Sequence, residues 1–237
     1  KKPLITSYAP SFEPDNDPES RIQKPWRMDF DRFSPDGNVH FLPSTVDDAD
    51  ERTEPIPARF YSAHFAFAKG DFVKEVPHDP DYYFHGEEVS IAVRAFTHGY
   101  DLLHPHKIFL WHYYTRRGLK KHWDDHTKWG ERNDGSHKRN RKLLSMDGEV
   151  YDPEFFGIYG LGTERTLEDY ERYAGLSFSR RAVQQHTIDK KDAPCPLFES
   201  EEEYQNSYSI PFKHCIDIHF DSVPHDDYDI WVVAFED

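Results

Sequence analysis

Cysteine is too rare in this sequence for disulfide bonds to build the fold. Only Cys195 and Cys215 occur among 237 residues, which allows at most one bridge. A disulfide-built secreted scaffold is therefore excluded, and a reducing compartment is expected. No run of about 18 apolar residues predicts a transmembrane helix, and no charged and then apolar leader opens the sequence. We therefore predict a cytoplasmic protein without a membrane span.

Basic residues are also scarce. The sequence has 29 Lys and Arg against 44 Asp and Glu, which gives a net charge of −15. Such a surface repels nucleic-acid phosphates and anionic membranes, so neither is expected as a partner. One local basic patch, formed by Arg116, Arg117, Lys120 and Lys121, has the charge to serve a nucleotide diphosphate. Aromatic residues make up 16% of the chain, and aromatic rings also stack on sugars and bases.

The order of the predicted elements is typical of an α/β protein. The chain is long enough for one large domain with a substantial core. Residues 9–59 are rich in Pro, Asp and Glu and predict a long excursion, which in a compact protein is usually functional. Thr166, Asp169 and Gly175 predict a helix with a capping box and a glycine end. The pattern predicts strands at 3–8, 26–30, 39–42, 100–103 and 108–114, and helices at 87–99, 133–145 and 166–174.

Two adjacent carboxylates follow a glycine at the start of a predicted buried helix. Gly86 precedes Glu87 and Glu88, and apolar residues follow from Val89 onward. Backbone N–H groups and the helix dipole favour negative charge in this first turn. The pair is therefore explained equally well by a charge preference of the helix terminus and by a catalytic base.

The spacing of Glu87, Glu88, Ile91 and Arg94 resembles the acceptor-side motif of nucleotide-sugar glycosyltransferases of the GT-A fold. The surrounding sequence resembles one family among them, the polypeptide N-acetylglucosaminyltransferases that modify hydroxyproline, together with their bacterial relatives. The resemblance covers about residues 3–180. The segments that carry it are Leu4–Pro10, Tyr61–Phe72, Val76–Pro80, Thr97–Pro105 and Tyr159–Thr166.

The resemblance implies a GT-A-like α/β fold, with a mixed sheet and flanking helices. In that family the nucleotide-binding half precedes the segment that matches Leu4–Pro10, and its carboxylate pair after a strand has no counterpart here. Residues 1–193 are therefore expected to form the C-terminal, acceptor-side part of the enzyme, with the N-terminal nucleotide-binding half missing. Strands predicted at 215–220 and 229–235 make residues 194–237 a short β-rich C-terminal appendage.

The implied activity is that of a hexosyltransferase, which moves N-acetylglucosamine from UDP-GlcNAc to a hydroxyl on a protein or glycan acceptor. Glu88 is the preferred base for an inverting reaction. The family is thought to retain configuration, in which case Glu87 or Glu88 orients the acceptor hydroxyl or supports the sugar. The stereochemical outcome stays open. Arg94 is expected to anchor the acidic turn, and His64 and Phe84 to line the sugar pocket, although packing explains these two equally well.

His112 follows the apolar run 108–111, so we place it at the end of a strand. In the family that this chain resembles, a histidine here completes the coordination of Mn²⁺ or Mg²⁺ on the nucleotide diphosphate, where the cation neutralises charge on the departing group. Arg116, just beyond, is expected to add to that effect. Without the resemblance, a strand-end histidine bonded to a backbone carbonyl is the simpler explanation.

Two other functions remain open. A non-catalytic carbohydrate- or protein-binding module would use the same aromatic residues without a cation. A metal-dependent hydrolase would need His122 and His126 on one helix face, but the glutamate that such zinc proteases use as base does not follow His122. His104 and His106 flank a proline and are predicted to be solvated.

Overall fold

The computed structural model describes residues 2–115 and 118–210. Short 3₁₀ helices occur at Pro14–Asn16, His122–Asp125 and Gly157–Tyr159. The strands are β1 (Lys2–Ser7), β2 (Trp26–Phe33), β3 (Val39–Thr45), β4 (Ile56–Pro57), β5 (Phe65–Ala68), β6 (Tyr100–His104), β7 (Leu176–Ser177), β8 (Ala182–Gln184) and β9 (Tyr208–Ser209). The helices are α1 (Phe72–Glu75), α2 (Glu87–Thr97), α3 (Trp129–Leu143), α4 (Pro153–Phe156), α5 (Leu167–Ala174), α6 (Gln185–Ile188) and α7 (Glu201–Asn206).

A mixed four-stranded sheet organises the core, in the order β4-β6-β1-β5. Strand β1 runs parallel to β6, with Leu4 opposite Leu102, and antiparallel to β5, with Ile5 opposite Phe67. The strand predicted at 3–8 is therefore confirmed, and it lies inside the sheet. The mixed sheet and its flanking helices confirm the α/β class. Because β1 and β6 are parallel, their carboxyl ends meet at one edge, where functional side chains commonly gather.

Helix α2 packs against this sheet and forms the centre of the core. Every residue from Val89 to Thr97 is buried, so the helix has no solvent face beyond its first turn. It begins at Gly86, whose φ of +94° is left-handed and favours glycine. The predicted helix at 87–99 is confirmed, and it presents Glu87 and Glu88 at its N-terminal end.

Strands β2 and β3 form a hairpin inside the long excursion. They pair antiparallel, with Trp26 opposite Thr45, and Phe41 stacks on Phe60 of the core at a ring distance of 4.9 Å. Both predicted strands are confirmed. The β2–β3 part of the excursion therefore packs against the core.

His104 is buried, so the prediction that it is solvated is wrong. Its Nε2 accepts from the Met28 N–H at 3.4 Å, and its Nδ1 lies 3.3 Å from the Thr6 carbonyl oxygen. Burial, with Arg27 nearby, lowers the pKa of His104 to about 3. The ring stays neutral and links β1, β2 and β6, since a charged imidazolium could not accept the Met28 N–H at Nε2.

The strand predicted at 108–114 is absent. Strand β6 ends at His104, and Pro105, which follows it, has no N–H to donate to a sheet ladder. Only one isolated bridge remains, between Ser11 and His112. The run packs instead on the excursion, since Trp111 Nε1 donates to the Ile22 carbonyl at 2.8 Å.

The helix predicted at 166–174 forms as α5. Thr166 Oγ1 accepts from the Asp169 N–H at 3.0 Å, the Asp169 carboxylate accepts from the Thr166 N–H at 2.7 Å, and Gly175 ends the helix with a φ of +67°. Helix α3 begins at Trp129, four residues before the predicted start. Strand β8 lies between β7 and β9 in a small sheet.

The strands predicted at 215–220 and 229–235 lie outside the described residues. In the described part of the chain, no helix is both long and apolar enough to cross a membrane.

The loop after α4 is attached to the end of α2 through Gly162 and Thr97. The Gly162 N–H donates to Thr97 Oγ1 at 2.8 Å. A Cβ at Gly162 would lie 2.5 Å from the backbone of Thr97 and His98. We therefore expect Gly162→Ala to lower the free energy of unfolding by about 2–3 kcal/mol, measured by urea denaturation.

Gly135→Ala is the matched control. Gly135 lies inside α3 with nothing within 4 Å of its Cβ position, so alanine there should stabilise the helix by about 0.5–1 kcal/mol. Equal effects of the two substitutions would contradict the close packing at Gly162.

Candidate active site

One cleft of about 450 Å³ collects residues from four parts of the fold. These are the end of β1, the segment before β5, the N-terminal turn of α2 and the β2–β3 hairpin. Among the predicted site residues, His64, Phe84, Glu87 and Glu88 all line it. The complete lining is Tyr8, Asn38, Val39, His40, Phe41, Leu42, Ala63, His64, Phe84, His85, Gly86, Glu87, Glu88 and Val89.

Glu88 is held in place by the segment before β5. Thr6 Oγ1 accepts from the Ser62 N–H at 2.8 Å and donates to the Ser62 carbonyl at 3.2 Å, which ties Ser62 to β1. The next residue, Ala63, donates its N–H to Glu88 Oε1 at 2.9 Å. Burial raises the pKa of Glu88, although hydrogen bonds from Ala63 and Ser62 oppose that change. Glu88 is thus a fixed carboxylate of increased basicity.

Glu87 differs from its neighbour because its Oε2 is buried without a hydrogen-bond partner among the described residues. Burial, together with the adjacent charge of Glu88, raises the pKa of Glu87 from 4.5 to about 7. The two carboxyls therefore differ: hydrogen bonds from Ala63 and Ser62 oppose the rise in the pKa of Glu88, whereas Glu87 titrates near neutral pH. The sequence does not show which member is which.

His64 lies in a group of aromatic rings beside Glu88. Its ring is 4.5 Å from Tyr8 and stacks on His112 at 4.8 Å. His64 Nδ1 lies 3.4 Å from the Ala9 backbone nitrogen and 3.3 Å from the Tyr114 hydroxyl oxygen. These contacts and the ring packing fix the position of His64 at the wall of the cleft.

His112 lies directly behind His64. Its backbone N–H donates to the Pro10 carbonyl at 2.9 Å, and its ring is 4.4 Å from Tyr114. The structure therefore brings His112 next to a residue that lines the same cleft as the acidic pair. His112 reaches this position by packing on residues 9–12 and not by ending a strand, as the sequence predicted.

Arg94 does not bond to the acidic turn. It is fully buried, and its Nε and Nη2 donate to the carbonyls of Gly160 and Ile158 at 3.4 and 3.5 Å. It therefore supports the loop after α4. Phe84 lines the cleft and is 42% exposed, which leaves its ring accessible to a ligand. Arg116 lies outside the described residues.

Sequence reasoning missed the hairpin wall of the cleft. His40 and Leu42 lie on β3 and face the turn that contains His85. The strand at 39–42 and the functional character of the long excursion were both predicted from the sequence. The contact between the β2–β3 hairpin and the turn before α2 was not predicted, because no local sequence pattern indicates that the hairpin folds over the start of this helix.

The described residues do not by themselves fit a resident Mn²⁺ or Mg²⁺ ion. Within 2–115 and 118–210, no group of three or more His, Cys, Asp or Glu side chains is arranged to hold a metal. His112 is packed among rings, whereas these ions prefer several oxygen ligands.

The hydrolase alternative also lacks support. Residues His122–Asp125 form a 3₁₀ helix that ends before His126, so the two histidines do not share an α-helical face.

The raised pKa of Glu87 predicts a pH-dependent stability. The folded state binds this proton more tightly than the unfolded chain, so the stabilisation is complete below about pH 4.5 and is lost as the pH rises through about 7. Glu87→Gln removes the buried charge. We expect its free energy of unfolding to exceed that of the wild type by about 1–2 kcal/mol at pH 8, with a much smaller difference near pH 5.

Urea denaturation across this pH range measures the effect, and Glu149→Gln is the control because Glu149 is exposed. The control should follow the wild-type profile. A pH-independent difference for Glu87→Gln would mean that the carboxyl of Glu87 is not desolvated in the folded protein.

The fold and the cleft can be compared with known proteins. No curated protein and no solved structure matches the chain. A family model described as "Glycosyltransferase (GlcNAc)" matches residues 1–180, a range that includes the sheet, α2 and every residue lining the cleft. Because the match covers most of the chain and the whole candidate site, the chain belongs to the GlcNAc glycosyltransferase family.

Proposed function

We propose that this chain supplies the acceptor side of an enzyme that transfers N-acetylglucosamine from UDP-GlcNAc to a hydroxyl of a protein or glycan. Membership of the GlcNAc glycosyltransferase family supports the transfer of this sugar. The observation that carries the site assignment is Glu88, whose Oε1 accepts the Ala63 N–H at 2.9 Å inside the cleft. The mixed sheet is compatible with the GT-A-like fold implied by the resemblance.

In the proposed reaction, Glu88 takes the proton of the acceptor hydroxyl. The acceptor oxygen forms a bond to C1 of the sugar, the bond between C1 and the diphosphate oxygen breaks, and UDP leaves with the electron pair. A base must be fixed near the proton that it removes and must have a pKa close to the working pH. Glu88 is fixed by Ala63 and Ser62, and burial raises its pKa.

Glu87 and His64 have supporting roles in this proposal. Glu87 titrates near neutral pH, so its protonated form can donate a hydrogen bond to the sugar or to the acceptor. His64 lines the cleft beside Glu88 and contacts the sugar in this proposal. Tyr8 packs against the edge of His64 and keeps its ring in place.

A divalent cation with His112 as one ligand remains part of the proposal because the resemblance implies it. When bound, such an ion neutralises negative charge on the departing diphosphate. The described residues supply His112 but not the set of oxygen ligands that Mn²⁺ or Mg²⁺ requires. We propose that those ligands belong to the nucleotide-binding half of the enzyme, and no proton transfer above depends on the ion.

Substitution of the two glutamates separates their roles. Glu88→Gln preserves the shape and the acceptor atom for the Ala63 N–H but removes the base, so we expect kcat to fall by about 10²–10⁴-fold with the KM for UDP-GlcNAc little changed. Glu87→Gln should cost less or act mainly on the KM for the acceptor. The measurement is transfer of labelled N-acetylglucosamine by the complete enzyme.

Glu149→Gln serves again as the control, because Glu149 is exposed and does not line the cleft. Full activity of Glu88→Gln with loss in Glu87→Gln would reverse the assignment. Wild-type transfer by both variants would mean that the acidic pair only reflects the charge preference of a helix terminus. A complete enzyme that binds carbohydrate without transferring sugar would favour the binding-module alternative.

A further inference from the structure

We propose that His40 and His85 form the acceptor-binding end of the cleft, and that they recognise an uncharged ring that carries a hydroxyl group. This inference rests on the proposed function, because it assigns a part of the same cleft. His40 lies on β3 and His85 lies immediately before Gly86, and both line the cleft. Their rings meet edge to face at 5.7 Å.

A third histidine fixes this pair from behind. His137 of α3 is buried and stacks parallel to His85, with ring centres 6.0 Å apart and an angle of 10°. Its Nδ1 is 3.0 Å from Asp36 Oδ2, and its Nε2 is 3.4 Å from Asn133 Nδ2. His137 is therefore a positioning residue, since its nitrogen atoms are occupied and its ring holds His85 in place.

The two cleft-facing rings are neutral at physiological pH. Partial burial lowers the pKa of His40, with Arg32 and His137 adding to the effect and Asp31 and Asp36 opposing it. Partial burial, followed by the neighbouring His40 and His137, lowers the pKa of His85, and Asp36 opposes this change. A neutral imidazole has one donor and one acceptor. That combination matches a hydroxyl group, which also donates and accepts.

Apolar groups stand beside these imidazoles. Leu42 is 54% exposed and Phe84 is 42% exposed, and both line the same cleft. The Phe84 ring lies 4.8 Å from that of His85. A hydroxylated ring has apolar C–H faces and polar edges, so it can pack on Phe84 and Leu42 while its hydroxyls bond to His40 and His85. A free anion would gain little here, because neither histidine carries a charge.

This chemistry is shared by saccharides and by hydroxylated peptides, and the test includes both. The full chain is labelled with ¹³C-imidazole histidine and titrated with methyl hexosides and, separately, with short peptides that contain serine, threonine or hydroxyproline. We expect saturable shifts of the His40 and His85 resonances with one of the two panels. Saturable binding that leaves both resonances unmoved, or no saturable binding in either panel, overturns the proposal.

Substitution then removes the recognition atoms but keeps the rings. His40→Phe and His85→Phe should each weaken binding of the active panel member about three- to tenfold, the loss expected for one neutral hydrogen bond. His78→Phe is the matched control, because His78 is exposed and lies outside the cleft lining. Unchanged affinity in both cleft variants would overturn the assignment.

The pH dependence distinguishes recognition from a merely structural role. Acidification protonates both rings, which then lose their acceptor atoms, and His40 gains its charge beside Arg32, so affinity should fall as the pH is lowered. The variant with both histidines replaced should lose this dependence. Micromolar binding of Co²⁺ alone at His40 and His85, with neither panel active, would identify a metal site and overturn the proposal.

The two proposals can fail separately. Hydrolysis of UDP-GlcNAc by water in the wild-type complete enzyme tests the donor side without any acceptor. Absence of both hydrolysis and transfer, with the His40 and His85 shifts intact, would reject the proposed function and leave a hydroxyl-binding site.

Discussion

The hydrogen bond from the Ala63 N–H to Glu88 Oε1 joins the segment before β5 to helix α2, and both residues line the cleft. A partly buried carboxylate needs such a donor, because its charge loses water on folding. The donor is fixed in turn, since Thr6 on β1 bonds to both backbone groups of Ser62. One short path from the sheet through Ser62 and Ala63 therefore sets where the acidic turn lies, and the hairpin and the aromatic rings are arranged around it.

Burial of two adjacent carboxylates has an electrostatic cost that the surrounding residues share. Burial, together with the charge of Glu88, raises the pKa of Tyr8, Tyr61 and Tyr114, so these phenols remain protonated. The pKa of Glu87 is raised to about 7, so this carboxyl is partly protonated near neutral pH and the repulsion between the two groups is reduced. The cleft thus combines one hydrogen-bonded carboxyl, Glu88, with neutral rings, a combination suited to neutral hydroxylated groups. Functional sites commonly keep such locally unfavourable features.

The parts of the fold that follow from local patterns were predictable. The glycine before the acidic pair and the apolar run after Val89 predicted α2, and the pairing of Thr166 with Asp169 predicted the start of α5. Contacts between distant segments were not predictable. His104 reads as a loop residue until Thr6 and Met28 are seen to hold it. Likewise, the apolar run before His112 resembles a strand, but within residues 2–115 and 118–210 its strand pairing is limited to the bridge between Ser11 and His112. The strand at 39–42 was predicted, but the position of His40 and Leu42 in the cleft was not, because it depends on packing between distant parts of the chain.

The sheet edge at β5 affects how this chain behaves in solution. Among the described residues, β5 has a strand partner only on the β1 side. No charged residue interrupts Phe65–Ala68, and Phe67 and nearby Phe109 are 66% and 60% exposed. Proteins usually protect such an edge with lysine, proline or a covering segment, since unpaired strand edges associate with one another. At the concentrations used for crystallisation or spectroscopy, colloidal stability of the isolated chain will therefore depend on whether this short edge is covered.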